Sequence, residues 1–181
     1  MNQQLLIAEF LATPWALMPE RLNAVAAVLA RWSSNTPASE DVMQRIAADR
    51  SAREARRQSN QVNGGGAGNG IAVLPLYGVV TQRGNMVDDV SGPGSVSTQQ
   101  FAASLRQALT DESVSQILID IDSPGGSVYG VAELADEIIS ARAQKPVIAI
   151  ANSLAASAAY WIGACASEFY VTPGGEVGSI G

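Results

Sequence analysis

Apolar positions along the chain change period several times, and each change marks an element. Residues 71–81 (IAVLPLYGVVT) are apolar almost without a break, as in a buried strand, with Pro75 at a bulge or edge. Phe101, Leu105 and Leu109 follow at helical spacing, behind a Ser97/Gln100 pair that suits a capping box. Residues 116–121 (QILIDI) predict a second strand, and residues 127–142 predict a helix with Val131, Leu134, Ala135 and Ile138 on one face. Residues 147–151 predict a third strand, a helix starts near Ser157, and residues 168–172 (EFYVT) predict a short last strand. Alternating strands and helices are the pattern of an α/β fold, a parallel sheet with right-handed crossover helices.

The chain before residue 71 reads differently. Pro19 suits the first turn of a helix, and Leu22, Val25, Ala26 and Leu29 continue it. A second helix is expected after Ser39, with Glu40 and Asp41 in its first turn and arginines 53, 56 and 57 near its end. Residues 58–70 (QSNQVNGGGAGNG) have the composition of a flexible linker. The expected division is a helical N-terminal extension over 1–57, a linker over 58–70 and a main domain over 71–181. Residues 82–96, with their glycines and proline, are expected to form a mobile loop.

Composition narrows the chemistry. Hydrophobic residues make up 47% and charged residues 15% of the chain, enough for a buried core. Residues 1–70 carry six acids and seven bases, residues 71–181 eleven acids and four bases. The main domain therefore lacks the basic footprint of a nucleic-acid binder. Histidine is absent, which removes Ser-His-Asp triads, Cys-His dyads and histidine-ligated zinc together. Cys165 is the lone cysteine, so neither an intrachain disulfide nor a multi-cysteine metal site is expected. Neither a metal nor a cofactor is expected. Residues 146–166 are uncharged and long enough to span a bilayer, but Asn152 and Ser153 interrupt them and alanine dominates the rest. A buried strand followed by a buried helix fits better. Residues 4–18 contain Glu9 and Pro14 and lack a basic start, so no signal peptide is expected.

In a parallel sheet the turns after residues 121 and 151 share one edge, where α/β folds place ligands. The first turn is Asp122-Ser123-Pro124-Gly125-Gly126, and the second leads through Asn152 and Ser153 to Ser157. A serine at a helix start has unpaired N–H groups beside it, and a diglycine turn lets backbone approach a substrate carbonyl. Ser157 is thus a candidate nucleophile, with the amides of Gly126 and Ala158 as a candidate oxyanion hole. Ser123, Gly125 and Ser153 are the expected substrate contacts. The same features also fit a plain tight turn and close helix packing, and both readings stay open at this level.

Asp122-Ser-Pro-Gly-Gly-Ser-Val128, Lys145-Pro-Val147, Ala155-Ala-Ser-Ala-Ala-Tyr-Trp161 and Gly178-Ser-Ile-Gly181 occur in this order. Together they resemble the signal peptide peptidase A family of serine peptidases. The resemblance implies a Clp-protease/crotonase type of fold and a Ser-Lys dyad, with Ser157 as nucleophile and Gly126 as oxyanion donor. Residues 5–32, including Thr13-Pro14-Trp15-Ala16 and Pro19-Glu20-Arg21-Leu22, resemble the phage branch, the minor capsid protein C or capsid-assembly peptidases. That implies processing of scaffold or capsid proteins, in a bacterial cytoplasm or a phage prohead. A domain ending at residue 181 would leave apolar surface exposed, so a homo-oligomer is expected.

Two departures from the family pattern stand out. Ala158-Ala159 replaces the usual Gly-Gly after the serine, which predicts a narrower substrate path. The dyad lysine implied by the resemblance lies beyond the Gly-Ser-Ile-Gly motif, so a C-terminally truncated chain, inactive alone, is expected. Lys145, the single lysine, precedes the strand leading to Ser157 and is expected at its far end. Two rivals remain: an inactive capsid-assembly or scaffold protein that keeps the fold, and a crotonase-type acyl-CoA enzyme. The helix start offers the latter a nucleophile and no carboxylate base.

Overall fold

The computed structural model describes residues 8, 10–17, 19–34, 40, 43, 44, 48, 51, 70–83 and 94–180. Residues 58–69 of the linker expected over 58–70 and residues 84–93 of the loop expected over 82–96 lie outside these residues. The described elements are β1 (Trp15–Leu17), α1 (Pro19–Ser33), β2 (Gly70–Tyr77), β3 (Val79–Thr81), β4 (Ser95–Ser97), α2 (Thr98–Thr110), β5 (Val114–Ser123), β6 (Gly125–Ser127), α3 (Val131–Ala141), β7 (Val147–Ala156), α4 (Ala158–Ala164), β8 (Glu168–Val171) and β9 (Glu176–Gly178).

The larger sheet has the order β2-β5-β7-β8, and β9 also pairs with β7. All its pairings are parallel, as the alternating sequence pattern requires. Period-two burial decides which face holds the core. Leu74, Leu76, Ile117, Ile119, Ile121, Val147, Ala149 and Ala151 point inward and are buried. They pack with Phe101 and Leu105 of α2, Leu134 and Ile138 of α3, and Ile162 of α4. A Cβ on Gly163 of α4 would lie 2.8 Å from Ile121 Cδ1, so this short helix sits hard against the sheet.

The smaller sheet has the order β1-β6-β3-β4, with β1 antiparallel to β6 and the other pairs parallel. Apolar residues 71–81 are divided between the two sheets at Gly78, whose φ of 80° breaks the run into β2 and β3. Ser97 caps α2 by accepting from the Gln100 N–H at 3.2 Å.

Several elements differ from expectation. Ser95 and Val96, within the loop expected over 82–96, pair with β3 as part of β4, and Gly70, the last residue of the expected linker, opens β2 because it pairs with Val114. The helix expected from Ser127 begins at Val131, because β6 takes up Ser127 and Gly130, at φ 78°, provides the cap. The third strand runs on to Ala156, since residues 154–156 find a parallel partner in β9. Residues 15–17, inside the segment expected to be helical, form a strand against β6.

Candidate active site

Two chain segments meet at the C-terminal edge of the larger sheet. Against β7, the register of β5 slips between Ile121 and Ser123, so that Ser123 stands opposite Ala155. The slip carries the turn after β5 alongside the residues that lead into α4. Ser123 is fully buried, its hydroxyl donating to the Gly78 carbonyl at 2.6 Å and accepting from the Gly125 N–H at 3.2 Å. It holds the diglycine turn in shape.

Gly125 has φ 94°, and a Cβ there would lie 2.9 Å from both the Ala156 carbonyl oxygen and the Ser157 Cβ. Glycine is the residue that tolerates this backbone and leaves this space. A Cβ on Gly126 would come 2.0 Å from the Val80 carbonyl oxygen, because β6 is pressed against β3. The diglycine is therefore required by packing on both sides of the turn, and it lies against Ser157.

Ser157 itself has φ 56° and ψ −119°, an uncommon conformation for a residue with a side chain. Its hydroxyl does not cap α4. Its backbone is over-determined instead: the N–H donates to the Gly178 carbonyl at 2.8 Å, and the carbonyl accepts from the Trp161 N–H at 3.0 Å. Strained residues held by their surroundings cluster at functional sites, and a nucleophile on a sharp strand-to-helix turn is presented in this way. Ala158 follows as the first residue of α4, where backbone N–H groups lack intrahelical partners.

The methyls of Ala158 and Ala159 are buried in the core, so they do not line the path expected to be narrowed. Ser153 is exposed on β7, four positions before Ser157. Lys145 precedes the ten-residue β7, and its Nζ donates to the carbonyls of Ala108 and Asp111 at 2.8 and 2.6 Å. At about 3.3 Å per residue it lies some 30 Å from Ser157. Asp120 accepts from the Tyr77 hydroxyl and, at 3.3 Å, from Asn152 Nδ2. Burial raises the Cys165 thiol pKa, the reverse of activation. Among the described residues no cluster of histidine, cysteine, aspartate and glutamate could hold a metal ion. None of the described helices is long and apolar enough to cross a membrane.

Two contributors escape a reading of the sequence. Gly178 stands there as part of a motif without a role of its own, and in the structure its carbonyl anchors Ser157. Ala16 likewise enters only as part of a motif, yet its carbonyl oxygen lies 2.5 Å from the Cβ position of Gly125.

Residues 139–181 match the model of Peptidase family S49. The chain is 42% identical over 113 residues to head-tail preconnector protein GP5 of Enterobacteria phage P21, covering 62% of this chain and 22% of that protein. It is 41% identical over 113 residues to capsid assembly protease C of Escherichia phage lambda, with coverages of 62% and 25%. It is 36% identical over 104 residues to Protease 4 of Salmonella typhi, with coverages of 57% and 17%. The chain thus spans about a quarter or less of the length of these relatives. A solved structure, the 1510-N membrane protease specific for a stomatin homolog from Pyrococcus horikoshii, matches at 22% identity and a TM-score of 0.47, covering 61% of this chain and 49% of that one. Residues 139–181, which hold β7, Ser157 and α4, are thus the part of the chain that matches Peptidase family S49, and the chain is similar in sequence to the phage capsid assembly protease and to Protease 4.

Proposed function

We propose that this chain is the nucleophile-bearing part of a serine endopeptidase acting on phage scaffold or capsid proteins. Ser157 Oγ is the nucleophile. The amides of Gly126 and Ala158 receive the oxyanion, and Gly125 keeps the approach free of side-chain atoms. Ser123 serves by holding the turn, and Ser153 contacts the substrate further along β7. The observation that carries this reading is the strained backbone of Ser157, pinned by Gly178 and abutting Gly125. Similarity to capsid assembly protease C of phage lambda supports the substrate class.

The serine proton needs an acceptor. Histidine is absent from the chain, and Lys145 is committed at the far end of β7. The acceptor in this reading is a lysine supplied from outside these 181 residues, completing a Ser-Lys dyad.

A fluorophosphonate probe tests the nucleophile without that lysine. At alkaline pH hydroxide takes the serine proton in the lysine's place, and an oxyanion hole, each donor of which is worth about 3–4 kcal/mol, favours attack by the serine beside it. Ser157 should therefore be labelled well before the chain's other serines, as mapped by peptide mass spectrometry. Ser157→Ala should abolish the fast label. Uniform slow labelling of all serines would refute the assignment.

A further inference from the structure

The edge strand β1 lies where a peptide would have to lie to reach Ser157. β6 is bordered by β3 on one side and by Trp15–Leu17 on the other. The pairing is antiparallel, with Trp15 opposite Ser127, Ala16 opposite Gly126 and Leu17 opposite Gly125. The Val128 N–H donates to the Pro14 carbonyl at 3.2 Å. Antiparallel ladders alternate bonded and non-bonded pairs, so Ala16–Gly126 is the next hydrogen-bonded pair. The Gly126 amide, assigned above to the oxyanion, thus faces the Ala16 carbonyl.

The serine is close to the same group. The Ala16 carbonyl oxygen and the Ser157 Cβ lie 2.5 and 2.9 Å from one point, the Cβ position of Gly125. The two atoms are therefore at most about 5.4 Å apart, the total of those distances. Ala16, a small apolar residue, is partly buried and packs against the core. Trp15 ties the strand's start, its Nε1–H donating to the Phe10 carbonyl at 2.9 Å while the two rings lie 4.9 Å apart.

We propose that residues 14–17 are an internal substrate mimic, seated on the peptide-binding edge of β6 with the Ala16 carbonyl in the place of the scissile carbonyl. The site then takes an extended peptide, antiparallel to β6, with a small apolar residue before the bond that faces Ser157. The segment must leave before another peptide can enter. That the displaced strand mimics a substrate rests on the function proposed above; the strand pairing does not.

Two measurements on the full chain test this, in a Cys165→Ala background. Trp15 and Ser127 form a non-hydrogen-bonded antiparallel pair, whose short Cα separation of about 4.5 Å suits a disulfide. Trp15→Cys/Ser127→Cys should close quantitatively on mild oxidation. Trp15→Cys/Glu112→Cys should not, since Glu112 precedes β5 at the other end of the sheet. The second measurement is the affinity of a fluorescein-labelled peptide copying residues 11–18. Binding should strengthen from the disulfide-locked chain to the unsubstituted chain to Ala16→Asp, in which a carboxylate set against the apolar core unseats β1. Each step should be about tenfold or more, with circular dichroism verifying that every form is folded. Failure of the disulfide, or equal affinities in all three forms, overturns the mimic. Failure of fluorophosphonate labelling at Ser157 in the folded Ala16→Asp chain, whose site is no longer covered, overturns the peptidase reading and leaves the disulfide and peptide results untouched.

Discussion

The N–H of Ser157 donates to the carbonyl of Gly178 at 2.8 Å, across the junction of β7 and β9. This bond joins the alanine-rich helix start to the Gly-Ser-Ile-Gly motif, two features far apart in sequence pattern. It also explains how Ser157 keeps a costly backbone conformation: the ladder on which β9 is aligned fixes the residue before α4. Gly178 has φ 142°, while the space where a Cβ would go is open.

Gly178→Ala should therefore act through backbone strain and not through a clash. A strained φ for a residue with a side chain costs on the order of 1–3 kcal/mol. Urea unfolding should show a loss in that range. Fluorophosphonate labelling of Ser157 should slow as well, because the carbonyl that aims it shifts. A stability loss with unchanged labelling would show that Gly178 does not orient the serine.

Gly126→Ala should be far more damaging than its chemistry suggests. The new Cβ would meet backbone, the Val80 carbonyl oxygen at 2.0 Å, which no rotamer change can relieve. Overpacking of this kind costs typically about 1–3 kcal/mol and more where the obstacle is rigid. Gly174→Ala is the control, since nothing lies within 4 Å of its Cβ position. Denaturant midpoints should separate the two variants, with the control inside about 0.5 kcal/mol of the unsubstituted chain. Comparable midpoints for both would mean that β6 and β3 are not pressed together.

Much of this arrangement is legible from local pattern. QILIDI and PVIAIA announce buried parallel strands, and the parallel rule alone puts Ser157 and the diglycine on one rim. What is not legible depends on partners remote in sequence. Trp15-Ala16-Leu17 lies between two prolines and has no periodicity of its own; its strand exists only because β6 offers a free edge. Ser127 resembles a helix start because serine caps helices well. Pairing with β1 claims it for β6, and the αL conformation of Gly130 starts α3 later. The continuation of β7 through Ala156 likewise depends on β9, twenty residues further on. The fold class is written in short-range periodicity; the seating of the candidate nucleophile is written in long-range pairings.

Cys165 supplies a pH-dependent test of the α4 packing. Burial raises its pKa in the folded chain, with Arg142 opposing more weakly. A raised folded pKa means that the associated stability is present below the unfolded pKa and is lost as pH rises through the folded one. The unsubstituted chain should thus lose stability relative to Cys165→Ala as the pH rises above the unfolded thiol value of about 8.5, and not below it. Iodoacetamide should also react slowly with the native thiol and faster in urea. Parallel stability curves for the two chains would show that the thiol ionises equally well in both states.

Ser157→Gly separates strain from side-chain chemistry at the candidate nucleophile. Replacing a residue by glycine ordinarily destabilises by about 0.5–1 kcal/mol through backbone entropy. At φ 56° and ψ −119° the serine instead carries a conformational cost on the order of 1–3 kcal/mol, which glycine does not bear. Relief of that strain outweighs the entropy, so Ser157→Gly should be more stable than Ser157→Ala by about 1 kcal/mol, against the usual ranking. Both variants lack the hydroxyl, so the comparison isolates the backbone. Equilibrium unfolding in urea reads it directly. Were the alanine variant the more stable of the two, residue 157 would be relaxed, and the observation on which its catalytic assignment stands would be gone.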